Sequence, residues 1–555
     1  MARSVANRRR TLIARLGWWA ARVIPAAFIL LFFGWPLAAL VRRAAQPGVG
    51  ASAGESPVGF GELLRRTHAG QLLAFTLGQA VASVLLSMIV AAPIVWLLAR
   101  VDLPGRATTT VLNVIVTVPF VLPTVVVGVA FRAVFDGPLK FLGIGSGIWA
   151  ILLAHAFLNV AVIARVVATA WRSMDTRVVD AARSLGASPA RAFWTIVLPR
   201  LAPSIGAAAA LVFLFCSTSF GVIIILGNGE IQTLETEIYT QAISYFRIPE
   251  AVALSMVQIV VVVIALLITR LFDDPSASGT RAGREGRAVR PHGWTWVPVT
   301  VAIVWTLVLM VGPLVVLAVR SVRPTVGGQW TWDGYRSLGS SVDGVTPLAT
   351  LRYSLSTALL AMMIALIVGL LAAVALHRSR GATATVGQVI ATVPLGISAV
   401  TLGFGYLIVL SALPVGVARS SLVIPCVQAL IAIPVVVRIA LPALSGIPQR
   451  LRQAAETLGA SPFRVFLTVE LPMIGRSIGA AGGFAFIMAL GEFGATGFLA
   501  RADTTTLPVL IGSSLNRPGA DNLATAMAAS MLLVAVTTLA VMAMEAVRPR
   551  SGAMI

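Results

Sequence analysis

Few residues in this 555-residue chain could do covalent or metal chemistry. The four histidines, His68, His155, His292 and His377, are scattered, and no HExxH or paired His–carboxylate spacing occurs to hold a metal. The two cysteines, Cys216 and Cys426, lie inside apolar runs, which fits buried thiols and supports neither a disulfide framework nor a zinc site. The only lysine, Lys140, sits between Leu139 and Phe141. A Walker A loop needs Gly-Lys followed by Ser or Thr so that the lysine reaches the phosphates, and that sequence is absent. No nucleophile, base or metal constellation marks an enzyme. What remains is recognition: one loop that occurs twice, and a handful of polar residues set among apolar ones.

The segment DAARSLGASPARAFWTIVLP begins at Asp180, and QAAETLGASPFRVFLTVELP begins at Gln453, an offset of 273 residues. The same offset pairs Arg165 with Arg438, Gly206 with Gly479, Phe220-Gly221 with Phe493-Gly494, and Thr233-Leu234 with Thr506-Leu507. One offset held over about 90 residues marks a tandem duplication. In the first copy Ala181, Ala182 and Leu185 share one face of a short helix, and Pro189, Phe193 and Ile196 fall at helical spacing after a break. Ser188 and Pro189 suit an N-cap and first helical position. Gly186 and Gly459 permit a sharp turn between two short helices. Pro199 and Pro472 are expected to stop the second helix before the chain re-enters the membrane. Such a helix, held outside the membrane, suits docking in a groove of another protein. A helix resting on lipid headgroups is the plainer alternative, but it gives no reason for the pattern Ala-Ala, Gly, Leu-Pro to recur at identical spacing.

The elements that carry these loops follow from composition. Hydrophobic residues make up 58% of the chain and charged residues 11%, and the mean hydropathy is +0.92. That excludes a soluble globular enzyme and a disordered chain. At about 20 apolar residues per membrane helix, the chain furnishes on the order of a dozen spans. They are expected near 21–41, 72–99, 110–134, 148–169, 203–226, 250–270, 294–319, 352–376, 387–412, 421–443, 475–498 and 521–545. All should be helices, because backbone polar groups in lipid must be satisfied within the segment. The fold class is thus all-α integral membrane, with two tandem six-helix repeats. The first repeat covers residues 1–270, a cytoplasmic linker rich in Gly, Ser and Arg covers 271–293, and the second repeat covers 294–555. Each repeat has an even number of spans, so the two are parallel.

The net charge of +21 reads as the positive-inside rule rather than as nucleic-acid binding, since the arginines are spread over loops. With both termini cytoplasmic, inner segments hold about 25 basic residues and outer loops about 14. Arg3, Arg8, Arg9, Arg10 and Arg15 precede the first span, and both repeated loops are then cytoplasmic. The third outer loop is acidic, with Glu230, Glu235, Glu237 and Glu250.

Within the spans, Glu492 is expected to lie well inside the eleventh, either as a gate or solute-contact residue or as a structural hydrogen-bond partner. Its matched position is Ser219, which with Ser217 and Thr218 forms a polar patch suited to a cavity or to bridging helices. Arg165 and Arg438, near cytoplasmic ends, are candidates for a gate or for anchoring the loops, if they do not simply snorkel. Gly475, Gly479 and Gly483, four apart, read as close-packing positions. No metal site and no cofactor is expected on this chain.

The spacing of the repeated loop resembles the signature of permease subunits of binding-protein-dependent ABC importers: Glu-Ala-Ala, three residues, Gly, nine residues, Ile, one residue, Leu-Pro. The first copy matches at Ala181, Ala182, Gly186, Ile196, Leu198 and Pro199, with Asp180 in place of Glu. The second matches at Ala454, Ala455, Gly459, Leu471 and Pro472, with Gln453 in place of Glu and Val469 in place of Ile. The resemblance implies a type I importer-like fold and a bacterial cytoplasmic membrane. It also implies two copies of a separate ATP-binding subunit, each receiving one loop, with ATP and magnesium held there. An extracytoplasmic solute-binding protein would deliver the solute. A fused pair of six-span units is similar to the thiamine and ferric-iron branch. The stretch Thr218–Phe246 looks most like thiamine permeases, while Ala489–Ala500 looks more like molybdate and sulfate permeases. A twelve-span secondary transporter also has a 6+6 parallel repeat. ARVDLPGRA (Ala99–Ala107) faintly echoes its loop motif, but that class does not account for the repeated loop.

Overall fold

The computed structural model describes residues 19–46, 59–271 and 290–547, apart from Ile144, Ser146, Val326, 341–345, Ile397 and Ala502. The five N-terminal arginines and nearly all of the expected linker lie outside the described residues. Among the described residues ten helices are long and apolar enough to cross a membrane: Trp19–Ala45, Ala69–Arg100, Ile148–Ser173, Pro189–Ser217, Ile248–Ile268, Gly293–Val322, Pro347–His377, Val423–Ser445, Pro462–Leu490 and Ala520–Val547.

Two of the twelve expected spans are not single helices. The one near 110–134 is a pair, Thr108–Val121 and Thr124–Phe135, bent by 103°. Pro123 causes the bend: it holds the preceding Leu122 in an extended conformation (ψ 141°) and cannot supply the N–H that would continue the helix. The span near 387–412 divides into Ala382–Thr392, a 3-10 turn at Val393–Leu395 and Ala399–Ser411. Pro394 and Gly396 break it, and Ser398 restarts it by accepting the Thr401 amide on its Oγ at 3.0 Å. Two further boundaries move. The helices expected near 203–226 and 475–498 end at Ser217 and Leu490, leaving Thr218, Ser219 and Glu492 beyond the helix ends.

The chain forms two compact units that do not coincide with the two sequence repeats. One comprises Gly50–Leu338 and Ile511–Met531; the other comprises Met1–Val49, Gly339–Leu510 and Leu532–Ile555. Each unit therefore holds most of one repeat together with the first span of the other repeat. In the first unit, the span Gly293–Val322 is fixed by the Trp305 indole, which donates to the Val90 carbonyl at 3.0 Å. In the second unit, Ile29 and Phe33 of the first span pack with Leu402, Tyr406, Ile424 and Val427. The Tyr406 hydroxyl donates to the Phe32 carbonyl. At Gly405 a Cβ would come within 2.9 Å of the Pro36 carbonyl oxygen, so this crossing requires glycine. Gly479 and Gly483 take the expected close-packing part, with Val547 and Met544 against them. At Gly475 nothing lies within 4 Å of a built Cβ.

Candidate functional site: the paired loops and the polar breaks

Each repeated loop is a short helix, a left-handed turn and the start of a long helix. In the first copy the short helix is Arg177–Ser184. Its end is closed by the Ala187 amide on the Ala182 carbonyl and the Gly186 amide on the Arg183 carbonyl, both at 3.0 Å. Gly186 has φ +89° and its counterpart Gly459 has φ +81°, conformations that cost a side-chain-bearing residue about 1 kcal/mol. Ser188 then accepts the Arg191 amide at 3.2 Å, and Ser461 accepts the Arg464 amide at 3.3 Å. The second copy, Gln449–Thr457, repeats this geometry.

Pro199 and Pro472 do not stop the second helix. In each copy a five-residue π turn, Phe193–Val197 or Phe466–Glu470, comes just before the Leu-Pro pair. The Leu198 amide reaches the Phe193 carbonyl, and the Leu471 amide reaches that of Phe466. Proline has no amide to donate, and in the first turn of the α-helix that follows the wide turn none is needed. The loop thus runs without interruption into a membrane helix, Pro189–Ser217 or Pro462–Leu490.

Asp180, Ala181, Gln453 and Ala454 are exposed, and Ala182, Ala455, Leu198 and Leu471 are half-buried. At the tips, Leu185 is 90% and Leu458 is 89% exposed. Leu185 therefore does not face inward with Ala182. It presents an apolar knob outward, at the same place in both copies.

Beneath the tips the copies differ. Arg452 of the second loop places Nε 2.6 Å from Glu470 Oε1 and donates through Nη2 to the Leu444 carbonyl at 2.7 Å. Arg378 lies 3.7 Å from Glu470 Oε2, and Glu470 is 2% exposed. This buried ionic latch ties the loop to two neighbouring helix ends. The matched positions of the first loop are Val179 and Val197. There a cavity of about 180 Å³ lies among Val179, Val197, Phe193 and Trp171, with Arg100, Asp175 and Arg183 also on its wall. The latch was not read from the sequence, although Arg452 and Glu470 stand where the other copy has valines.

The far ends of the long helices carry the polar breaks. Glu492 follows the end of its helix, buried, and accepts the Ala495 amide on Oε1 at 2.7 Å and the Thr496 amide on Oε2 at 2.9 Å. Its carboxylate thereby holds two of the free amides at the start of the short helix Thr496–Leu499. In the first unit Ser217 and Thr218 turn back to the Leu214 carbonyl at 3.0 and 2.9 Å. Their hydroxyls close their own helix, while the Ser217 carbonyl accepts Gln258 Nε2 of another helix at 3.5 Å. Ser219 is joined to His155 Nε2 at 2.9 Å, and His155 Nδ1 to Ser83 Oγ at 2.9 Å. Gln79 donates to the Cys216 carbonyl and Asn159 to the His155 carbonyl, each at 2.9 Å. This buried polar chain was missed in the sequence. Its signal was the four-residue spacing of Gln79, Ser83 and Ser87 and of His155 and Asn159 inside apolar helices.

Just beyond the break, each unit seats a helix N-terminus on its second span. The Leu234 amide donates to Thr76 Oγ1 at 3.1 Å, and the Leu507 amide donates to Ser354 Oγ at 2.7 Å. Of the paired arginines, Arg165 is half-buried and donates to Thr117 Oγ1, whereas Arg438 is exposed. Among the described residues no group of three or more His, Cys, Asp or Glu side chains is placed to hold a metal ion.

Two stretches of the chain, residues 97–274 and 365–551, match one family, described as binding-protein-dependent transport system inner membrane component. The chain is 28% identical over 504 residues to the thiamine transport system permease protein ThiP of Brucella abortus (strain 2308), covering 87% of this chain and 88% of that protein. It is 26% identical to the thiamine transport system permease protein ThiP of Escherichia coli (strain K12), covering 81% and 85%. The sulfate transport system permease protein CysT of Synechococcus elongatus is 28% identical over 228 residues, which cover 39% of this chain and 77% of that protein.

Proposed function

Because this chain belongs to the family of binding-protein-dependent transport system inner membrane components, we propose that it is the fused, two-repeat permease of an ATP-driven importer that carries thiamine into the cytoplasm. As a member of that family it is a multi-pass membrane permease and not itself a catalyst. ATP and magnesium belong to two copies of a partner ATP-binding subunit, one on each loop, and an extracytoplasmic protein presents the solute. Both loops face the cytoplasm, as do both termini.

The observation that carries this reading is the pair of matched loops, each with one bare leucine, Leu185 or Leu458, at its tip. An exposed leucine contributes about 2 kcal/mol when it is buried in a partner's cleft. Each loop is helically continuous with a 29-residue helix that ends at a polar break. At 1.5 Å per residue, a push on a loop is delivered about 43 Å away. ATP-driven movement of the partners would act through these two helices on the breaks at Ser217–Ser219 and Glu492. Glu492, Ser217, Thr218, Ser219, Arg165 and Arg438 are the candidate pathway and gate residues, with Glu492 acting through the short helix whose first amides it holds.

Thiamine is favoured by the two-repeat relatives, whose names give that solute and which align along most of the chain. Ferric iron comes next. A sulfate-type oxyanion is the second reading, favoured by the match to a sulfate permease. The test is ATP-dependent thiamine uptake by the permease reconstituted with its partners. Uptake of thiamine that ends with Leu185→Asp plus Leu458→Asp supports the proposal; uptake of sulfate in its place overturns the solute.

A further inference from the structure

In the first unit, a cavity of about 390 Å³ opens beside the N-terminal end of the helix Ala69–Arg100. The repeated loop of that unit lies at the opposite end of the same helix, where Arg172 donates to the Leu98 carbonyl. Arg66, His68, Phe75, Glu230, Glu237 and Gln241 are among the residues that line it. Glu237 and Gln241 are each 7% exposed. Gln241 Nε2 donates to Glu237 Oε1 at 2.6 Å, while Glu237 Oε2 and Gln241 Oε1 have no hydrogen-bond partner among the described residues. Two buried acceptors without a donor are costly unless a donor from outside the chain meets them.

The duplication supplies an internal control. The matched positions in the second repeat are Leu510 for Glu237 and Ser514 for Gln241. Leu510 is buried. The fold therefore accepts an apolar side chain here, and the carboxylate answers to something other than folding. Among the charged residues that line the cavity, two acids, Glu230 and Glu237, stand against one arginine, Arg66, which shares Glu62 with Arg65 at 3.6 and 2.9 Å. Glu237 is buried, and a charge interaction counts for more there than at the water-exposed surface.

We propose that this cavity binds a small organic cation, whose positive, N–H-bearing group meets Glu237 and Gln241 while its apolar body lies against Phe75. The volume suits a ligand of that size, and acceptors without donors select a cation over an oxyanion. The inference deepens the importer reading by placing a binding site for such a solute on this chain, and it rests on that reading only for its place in transport.

The test uses the full-length permease in nanodiscs, without partners, and measures direct binding of thiamine, a simple quaternary ammonium ion and sulfate. The wild type is expected to bind at least one of the two cations and not sulfate. Glu237→Leu, the residue of the other repeat, is expected to weaken cation binding at least tenfold with an unchanged melting profile, and Glu237→Gln to weaken it less. Binding of neither cation, equal binding by Glu237→Leu, or competition by sulfate overturns the site. Cation binding that depends on Glu237, together with a permease that fails to stimulate any partner ATPase, overturns the importer reading and leaves the site standing.

Discussion

At the residue scale, the two repeats serve as mutual controls: a polar group present in one and apolar in the other is not demanded by the backbone. Glu470 and Arg452 are the clearest case, facing valines at the matched positions. A buried pair costs about 3–5 kcal/mol when one partner is removed, yet its replacement by packed apolar residues is often neutral. Arg452→Val alone is therefore expected to lower the thermal midpoint by several degrees. Arg452→Val with Glu470→Val should recover most of the loss, and a thermal-shift assay reads both. If the double variant stimulates the partner ATPase as the wild type does, the latch serves stability alone. Glu492 belongs to the same scale. Its two charge-assisted bonds to backbone amides are worth roughly 3 kcal/mol together. Glu492→Ala should destabilise by that order, whereas Glu492→Gln, which keeps one acceptor oxygen, should lose about half. Denaturant titration in mixed micelles checks it.

At the scale of elements, the loops were legible because helix stops and starts are local. Ser188, Pro189, Gly186 and their counterparts act within a few residues, through an N-cap and a positive φ. Gly459→Ala is expected to cost about 1 kcal/mol and to leave transport measurable. Gly459→Pro removes the amide that bonds the Glu456 carbonyl and demands a negative φ where φ is +81°. It should abolish ATPase stimulation by the permease while membrane insertion, read by fractionation, persists. The prolines at 199 and 472 were misread for a reason that is equally local. Hydropathy and a proline predict a stop, but a preceding π turn carries the helix past the residue that lacks an amide. The bend at Pro123 went unnoticed because apolar residues run through it on both sides.

At the scale of the molecule, each compact unit borrows a first span from the other repeat. Cutting the chain near residue 280 is expected to give two fragments that are protease-sensitive when expressed singly and protected when expressed together, because each lacks the span that covers Leu402 and Tyr406 or that bonds the Val90 carbonyl. Limited proteolysis of membranes holding one fragment or both measures this. Equal protection of the single fragments would count against the exchange.

The membrane class, the duplication and the helix–turn–helix start of the paired loops are legible along the chain, since hydropathy, a fixed offset and capping residues all act over short stretches. Which repeat each first span joins, that Glu492 is buried on two backbone amides, and that His155, Glu237 and Glu470 are buried in polar contacts follow from the packing of the folded chain. Glu492 and Glu237 bond within four residues, and only their burial is set by the fold. For His155, Glu470 and the first spans the partners lie dozens to hundreds of residues away: Ser83, Arg378 and, for Tyr406, Phe32. Packing brings them together because an apolar interior leaves a buried polar group no water to bond, so it takes whichever partner the fold places within reach.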